Sequence, residues 1–136
     1  MVRLIMGEKG TGKTKKLIEM VNSSAAENPG STVCIEANSS MTYNIHYNVR
    51  LVVAEEYQIA NYDTLRGLVS GLYAGNYDIN HIFIDNLFKI VKGSCDPATD
   101  KFLVWLDKFS ENHGVKFTMT ISADESAATD VMRRFL

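Results

Sequence analysis

Residues 2–14 read Val2-Arg3-Leu4-Ile5-Met6-Gly7-Glu8-Lys9-Gly10-Thr11-Gly12-Lys13-Thr14. The first five are a short run with one charge, which is typical of a strand buried between neighbours. The spacing Gly7-x-x-x-x-Gly12-Lys13-Thr14 follows at once and matches the pattern of a phosphate-binding loop. Residues 15–27 then carry apolar side chains at helical spacing. The stretch therefore predicts a strand, a glycine-rich loop and a helix in succession.

The glycines at positions 7, 10 and 12 have a physical reason in such a loop. A polyphosphate needs several N–H donors that converge on one point, and the backbone reaches that arrangement in conformations that a Cβ atom obstructs. The N-terminus of the following helix adds a partial positive charge that also favours phosphate. The loop is thus expected to bind an anion through its backbone.

This motif in this context resembles the P-loop NTPases, and its glycine spacing is most similar to the branch that includes AAA and RecA-type ATPases. The resemblance implies that Lys13 contacts the β- and γ-phosphates of ATP and that the Thr14 hydroxyl binds Mg²⁺. It implies a nucleotide-binding set formed by Gly7, Glu8, Lys9, Gly10, Thr11, Gly12, Lys13, Thr14 and Lys15.

A second motif lies in His81-Ile82-Phe83-Ile84-Asp85, an apolar run that ends in an acid. In the family this is the Walker B strand, whose aspartate holds Mg²⁺ through its water shell. The resemblance therefore pairs Asp85 with Thr14 as the metal-binding residues. Taken alone, an acid after an apolar run is also typical of a turn or a helix cap.

Apolar strand-like segments alternate with helical ones, which predicts right-handed crossovers and a mainly parallel sheet. The predicted fold class is a three-layer α/β/α architecture with a five-stranded sheet, formed by one domain over residues 1–136. The resemblance places the strand at 115–121 between those at 2–6 and 81–85. The strands at 32–37 and 50–54 then complete that side of the sheet.

Capping residues predict further helix boundaries. Asp96-Pro97 is expected to open a helix that Gly114 closes. Ser122-x-x-Glu125 matches a capping box for the final helix. Residues 38–40 are expected to cap a short helix that begins at Met41.

Catalysis of hydrolysis would require a group that polarises the attacking water. AAA-type relatives carry Glu directly after the Walker B aspartate, whereas this chain has Asn86. RecA-like relatives place a Glu at the end of the neighbouring strand, where Glu36 fits as the candidate base or as an ordinary solvated acid. Ser122 falls either at the position that senses the γ-phosphate or at a helix cap. The candidate catalytic set is Lys13, Glu36, Asp85 and Ser122.

Three functions follow from these residues. The first is an ATP-binding protein with weak or partner-dependent Mg·ATP hydrolysis, which acts with a protein partner or in a homo-oligomer. Arg133 and Arg134 either act on a neighbouring subunit or complement the dipole at a helix C-terminus. The second is a small-molecule kinase of the nucleoside type, although two cysteines cannot supply the four-cysteine zinc ribbon usual in thymidine kinases. The third is a non-catalytic nucleotide-binding regulatory module, which Asn86 favours.

The composition limits the class of protein and the partners to be considered. The chain has 136 residues, of which 46% are hydrophobic and 22% charged, and its net charge is −2, as expected of one globular domain without a basic field. Nucleic acid is not indicated as a partner. No apolar run reaches membrane-spanning length, no signal peptide precedes the first strand, and the two cysteines suggest reduced thiols in a cytoplasmic protein.

Overall fold

The structure, a computed structural model, describes residues 1–40 and 44–136. The short helix expected to begin at Met41 falls on residues outside these ranges. The strands are β1 (Val2–Gly7), β2 (Thr32–Glu36), β3 (Arg50–Val53), β4 (His81–Ile84) and β5 (Lys116–Ser122). The helices are α1 (Lys13–Glu27), α2 (Tyr62–Gly75), α3 (Leu87–Val91), α4 (Pro97–His113) and α5 (Asp130–Arg133).

The five strands form one sheet in the order β1-β5-β4-β2-β3, and every pairing is parallel. The predicted α/β class is therefore confirmed, as is the insertion of β5 between β1 and β4. The register aligns Gly7 with Ser122 across β1 and β5, and Ile35 with Ile84 across β2 and β4. Because parallel strands end at the same edge, the residues that follow β1, β2 and β4 meet there.

Side-chain alternation along the strands divides the core between the two sheet faces. On one face, Leu17 and Val21 of α1 pack against Cys34 and Phe83. The opposite face carries Ile35, Ile84 and their neighbours, which pack under α2, α3, α4 and α5. Helix α1, which follows the glycine-rich loop (residues 7–14), thus covers one face of the sheet. The larger apolar core lies on the opposite face.

The predicted boundaries of α4 are confirmed, whereas the predicted start of the final helix is wrong. Asp96 accepts the Thr99 N–H at 3.0 Å, and Gly114 takes the left-handed conformation with φ of 69°. Ser122 is instead the last residue of β5. Asp124 caps a 3-10 turn, Glu125–Ala127, and Thr129 caps α5. Side-chain oxygens nearer to each helix start therefore accept the N–H groups in place of the expected capping box.

Two elements at the carboxyl edge have no counterpart in the sequence-based prediction. A 3-10 turn, Ala54–Tyr57, follows β3, and the five-residue α3 follows β4. Both are shorter than two helical turns, so neither gives a detectable hydrophobic period. Their effect is to turn the chain sharply where β3 and β4 end.

Candidate functional site

The glycine-rich loop connects β1 to α1 and requires its glycines for two different reasons. Gly10 and Gly12 have φ values of 88° and 81°, in the left-handed region that residues with a Cβ rarely adopt. At Gly7 the limit is space, because a Cβ there would lie 2.6 Å from Thr11 Oγ1. The loop thus has the glycine-dependent backbone that the sequence predicted.

Lys13 is the first residue of α1, and its side chain folds back over the loop. Its Nζ donates to the Glu8 carbonyl at 2.9 Å and lies 3.4 Å from Thr11 Oγ1. Thr11 Oγ1 also donates to the Glu8 carbonyl, at 2.8 Å. The loop therefore holds a half-buried ammonium group above its own backbone, while Glu8, Lys9 and Lys15 lie exposed around it.

Thr14 and Asp85, which are 71 residues apart in sequence, are in contact. Thr14 Oγ1 lies 3.2 Å from each carboxylate oxygen of Asp85. Asp85 is only 8% exposed and follows β4 directly. The fold brings together the two residues that the sequence assigned to a metal, and the oxygens they present are of the kind that Mg²⁺ prefers.

Thr120, a residue that the sequence analysis overlooked, completes the surroundings of Asp85. It lies on β5, is 1% exposed, and donates from Oγ1 to Asp85 Oδ1 at 2.8 Å. The same hydroxyl accepts the backbone N–H of Asn86 at 2.7 Å. The sequence shows that Thr120 lies two residues before Ser122, on the same face of the strand. It does not show that Thr120 contacts Asp85, because this contact depends on the register of β4 and β5.

Glu36 lies beside Asp85 at the edge of the sheet. The Asp85 N–H donates to the Ile35 carbonyl at 2.9 Å and extends the pairing of β2 with β4. Glu36 is 1% exposed, so it is not a solvated acid, and its Oε1 accepts the N–H and the hydroxyl of Ser40 at 2.8 and 3.0 Å. Two buried carboxyl groups thus end adjacent strands.

The carboxylates of Asp85 and Glu36 also affect Cys34, which lies two residues before Glu36 on β2. Burial raises the pKa of the Cys34 thiol, and the carboxylates of Asp85 and Glu36 raise it further. The space behind the glycine-rich loop is therefore electronegative, which favours a cation there.

The other candidate residues lie near the surface. Ser122 is exposed and pairs in register with Gly7, at the start of the loop. Arg133 pairs with Asp130 at 3.1 Å, and the Arg134 guanidinium lies 5.5 Å from the centre of the Phe135 ring. Both arginines are exposed, and the structure places them on or after α5 rather than on an element of the loop.

Asn86 has a positive φ of 55°, and this conformation starts α3 immediately after Asp85. Asparagine tolerates the left-handed region better than most residues, and glycine tolerates it best. We expect Asn86→Ala to lower the free energy of unfolding by about 1 kcal/mol, and Asn86→Gly to leave it nearly unchanged. Urea unfolding of both variants measures this, and equal losses would contradict the backbone explanation.

Two cavities lie away from the glycine-rich loop. One of about 500 Å³ lies between α1 and the beginnings of β4 and β5, where Asn80 and Lys116 line it. Another of about 420 Å³ opens at the carboxyl edge, between Ala37 and Lys89. Neither of the two is lined by residues 7–14, which lie mainly at the surface.

His81 is half-buried at the start of β4, next to the first of these cavities. Burial, together with repulsion from Lys116 and the N-terminal ammonium group, lowers its pKa to about 4. Its Nε2 lies 2.9 Å from Thr118 Oγ1. The neutral ring is therefore the form that the folded state stabilises.

This gives a pH dependence of defined sign. Because the folded-state pKa lies below the value of 6.5 in the unfolded chain, stability is fully present above pH 6.5 and is lost as the pH falls towards 4. We expect the free energy of unfolding to drop by about 1–2 kcal/mol between pH 7 and pH 5. In His81→Gln, whose amide does not titrate, the drop should be smaller. If urea unfolding gave the wild type and His81→Gln the same dependence of stability on pH, His81 would not be the cause.

Fold and site together define an α/β protein with a parallel five-stranded sheet and a glycine-rich loop between its first strand and helix. No protein-family model matches the sequence, and no curated protein matches it. Solved structures match the fold, among them the crystal structure of the flagellar accessory protein FlaH from Methanocaldococcus jannaschii, with a TM-score of 0.67 and 11% identity. The match covers 97% of this chain, which spans 66% of the FlaH chain. At this identity the similarity concerns the fold alone.

Within residues 1–40 and 44–136, no helix has both the length and the apolar character needed to cross a membrane.

Proposed function

We propose that this protein binds a nucleoside triphosphate, ATP in the first instance, together with Mg²⁺ at the glycine-rich loop. The observation that carries the proposal is the contact between Thr14 and Asp85 at 3.2 Å. A glycine-rich turn alone needs no lysine, no threonine and no buried aspartate from another strand. Their convergence at the N-terminus of α1 is what a phosphate with its counter-ion requires.

The phosphate chain is bound by the loop backbone and by Lys13. Glycines in the left-handed conformation are what a loop needs for successive N–H groups to converge on an anion, and the dipole of the 15-residue α1 adds to this attraction. Lys13 now donates to a neutral carbonyl, that of Glu8. Exchange of this acceptor for a charged phosphate oxygen gives a shorter and stronger hydrogen bond.

Thr14 and Asp85 are the residues that would hold Mg²⁺. A hydroxyl and a carboxylate offer oxygen atoms only, which suits this hard cation, and their electronegative surroundings favour it. When bound, Mg²⁺ neutralises part of the phosphate charge. Asp85 contributes its negative charge, and Thr14 can direct its hydroxyl proton to Asp85 while a lone pair stays available.

Hydrolysis is expected to be slow or to depend on a partner. The residue after Asp85 is the neutral Asn86, and the candidate base Glu36 is engaged by both the N–H and the hydroxyl of Ser40. Both lone pairs of Glu36 Oε1 are taken by Ser40, so this oxygen does not orient a water until the Ser40 contacts open. A protein partner or a second copy that rearranges residues 37–40 would therefore stimulate turnover.

The test is a thermal unfolding series with ATP, GTP and ADP, each with Mg²⁺ and with EDTA, followed by separation of the nucleotides after several hours. At a ligand concentration 100 times the dissociation constant, binding adds about 2.7 kcal/mol of stability. Stabilisation by Mg·ATP with little ADP formed is the expected result. No stabilisation by any triphosphate would refute the proposal, and rapid ADP formation would refute the slow hydrolysis.

A further inference from the structure

The environment of Asp85 contains a hydrogen-bond relay with a defined direction. A backbone N–H can only donate, so the bond from Asn86 N to Thr120 Oγ1 makes the hydroxyl an acceptor at that end. The single hydroxyl proton of Thr120 is then available for Asp85 Oδ1, at 2.8 Å. The relay thus runs from the turn after β4, through β5, to the carboxylate.

This relay fixes which part of the carboxylate faces the loop. Thr120 is 1% exposed and contacts one oxygen only, Oδ1, whereas Thr14 lies 3.2 Å from both oxygens. A carboxylate has about four lone-pair positions, so two donors leave others open. Without the bond from Thr120, the contacts with Thr14 alone, among those of the described residues, would restrain rotation about the Cβ–Cγ bond.

We propose that Thr120 is a positioning residue for the cation, one that holds Asp85 in the orientation needed to bind Mg²⁺ with Thr14. The proposal rests on the proposed function and extends it to a residue on the neighbouring strand β5. Groups that orient a metal ligand typically change metal affinity by about 10- to 100-fold when they are removed. Thr120 does not reach the phosphates through the contacts described, so its effect is on the cation dependence of binding.

The experiment measures the Mg²⁺ concentration at which ATP binding is half-maximal, and ATP binding in EDTA beside it. Thr120→Val keeps the shape but removes the hydroxyl, and Thr120→Ser keeps the hydroxyl. We expect Thr120→Val to raise the half-maximal Mg²⁺ concentration by about 10-fold or more and to leave binding in EDTA unchanged. Thr120→Ser should return it to within about 3-fold of the wild type.

Thr118→Val is the matched control, because Thr118 is buried on the same strand face and bonds to His81 instead of Asp85. It should not change the Mg²⁺ dependence. If Thr120→Val does not fold, Thr120→Ala replaces it, since a water can then satisfy the Asn86 N–H. Equal weakening with and without Mg²⁺, or an equal effect of Thr118→Val, would overturn the positioning role. A wild type that binds no nucleotide under either condition would instead overturn the proposed function.

Discussion

Replacement of Lys13 by alanine is expected to weaken the binding of Mg·ATP by about 10- to 100-fold. Hydrogen bonds to charged groups contribute about 1.5–3 kcal/mol, and the phosphate chain would lose its ammonium partner in the loop. In the free protein the same group donates to the Glu8 carbonyl and to Thr11 Oγ1, both at the surface. The substitution should therefore change stability little, and a titration calorimeter can separate lost binding from lost fold.

Lys16→Ala is the control for this prediction. Lys16 lies on the same helix, is exposed, and has the same charge, so it reports the general electrostatic attraction between α1 and an anion. It should weaken binding by no more than about 3-fold. Equal effects of the two substitutions would mean that the basic start of α1, and not the loop, attracts the nucleotide.

Replacement of Asp85 by asparagine is expected to make nucleotide binding require a much higher Mg²⁺ concentration. The amide keeps the size of the side chain, and its oxygen can still accept from Thr120 and Thr14. The negative charge that attracts the cation is lost, which should raise the half-maximal Mg²⁺ concentration by about 100-fold. In EDTA the variant should bind ATP at least as tightly as the wild type, because one carboxylate no longer repels the phosphates.

Asp85→Asn is expected to weaken ATP binding at limiting Mg²⁺ but not in EDTA, and this difference makes the test demanding. A purely structural Asp85 would lower both affinities together. The free energy of unfolding should stay equal or rise, because Glu36 no longer faces a second buried carboxylate. Asp78→Asn, at an exposed position, supplies a control that changes the net charge by the same amount without touching the site.

Local sequence patterns predicted the first strand, the glycine-rich loop and the start of the first helix well. Residues 2–14 predicted β1, the loop and the start of α1, because glycine spacing and apolar runs are set by neighbouring residues. The strand order came from family resemblance, and the structure confirms it. Asp85 and Thr14 could be paired before the structure because both belong to motifs.

The missed features depend on contacts between distant parts of the chain. Thr120 meets Asp85 only once β5 pairs with β4, and a shift of one residue would turn it to the other face. The Ser122 cap prediction failed for the same reason, since the pairing of β5 with β1 keeps Ser122 in the sheet. Residues 38–40 predicted a turn, but the contact of Ser40 with the Glu36 carboxylate depends on how that turn folds back on β2.

The most direct test of the account is a map of backbone amide resonances during titration with Mg·ATP, which a 15.2 kDa protein permits. Nucleotide binding at the glycine-rich loop predicts that the largest shifts fall on residues 7–14 and at Asp85. Asn80 and Gly114, beside the cavity at the other end of α1, should move little. The largest shifts at Asn80 and Gly114, or none at saturating nucleotide, would contradict the account.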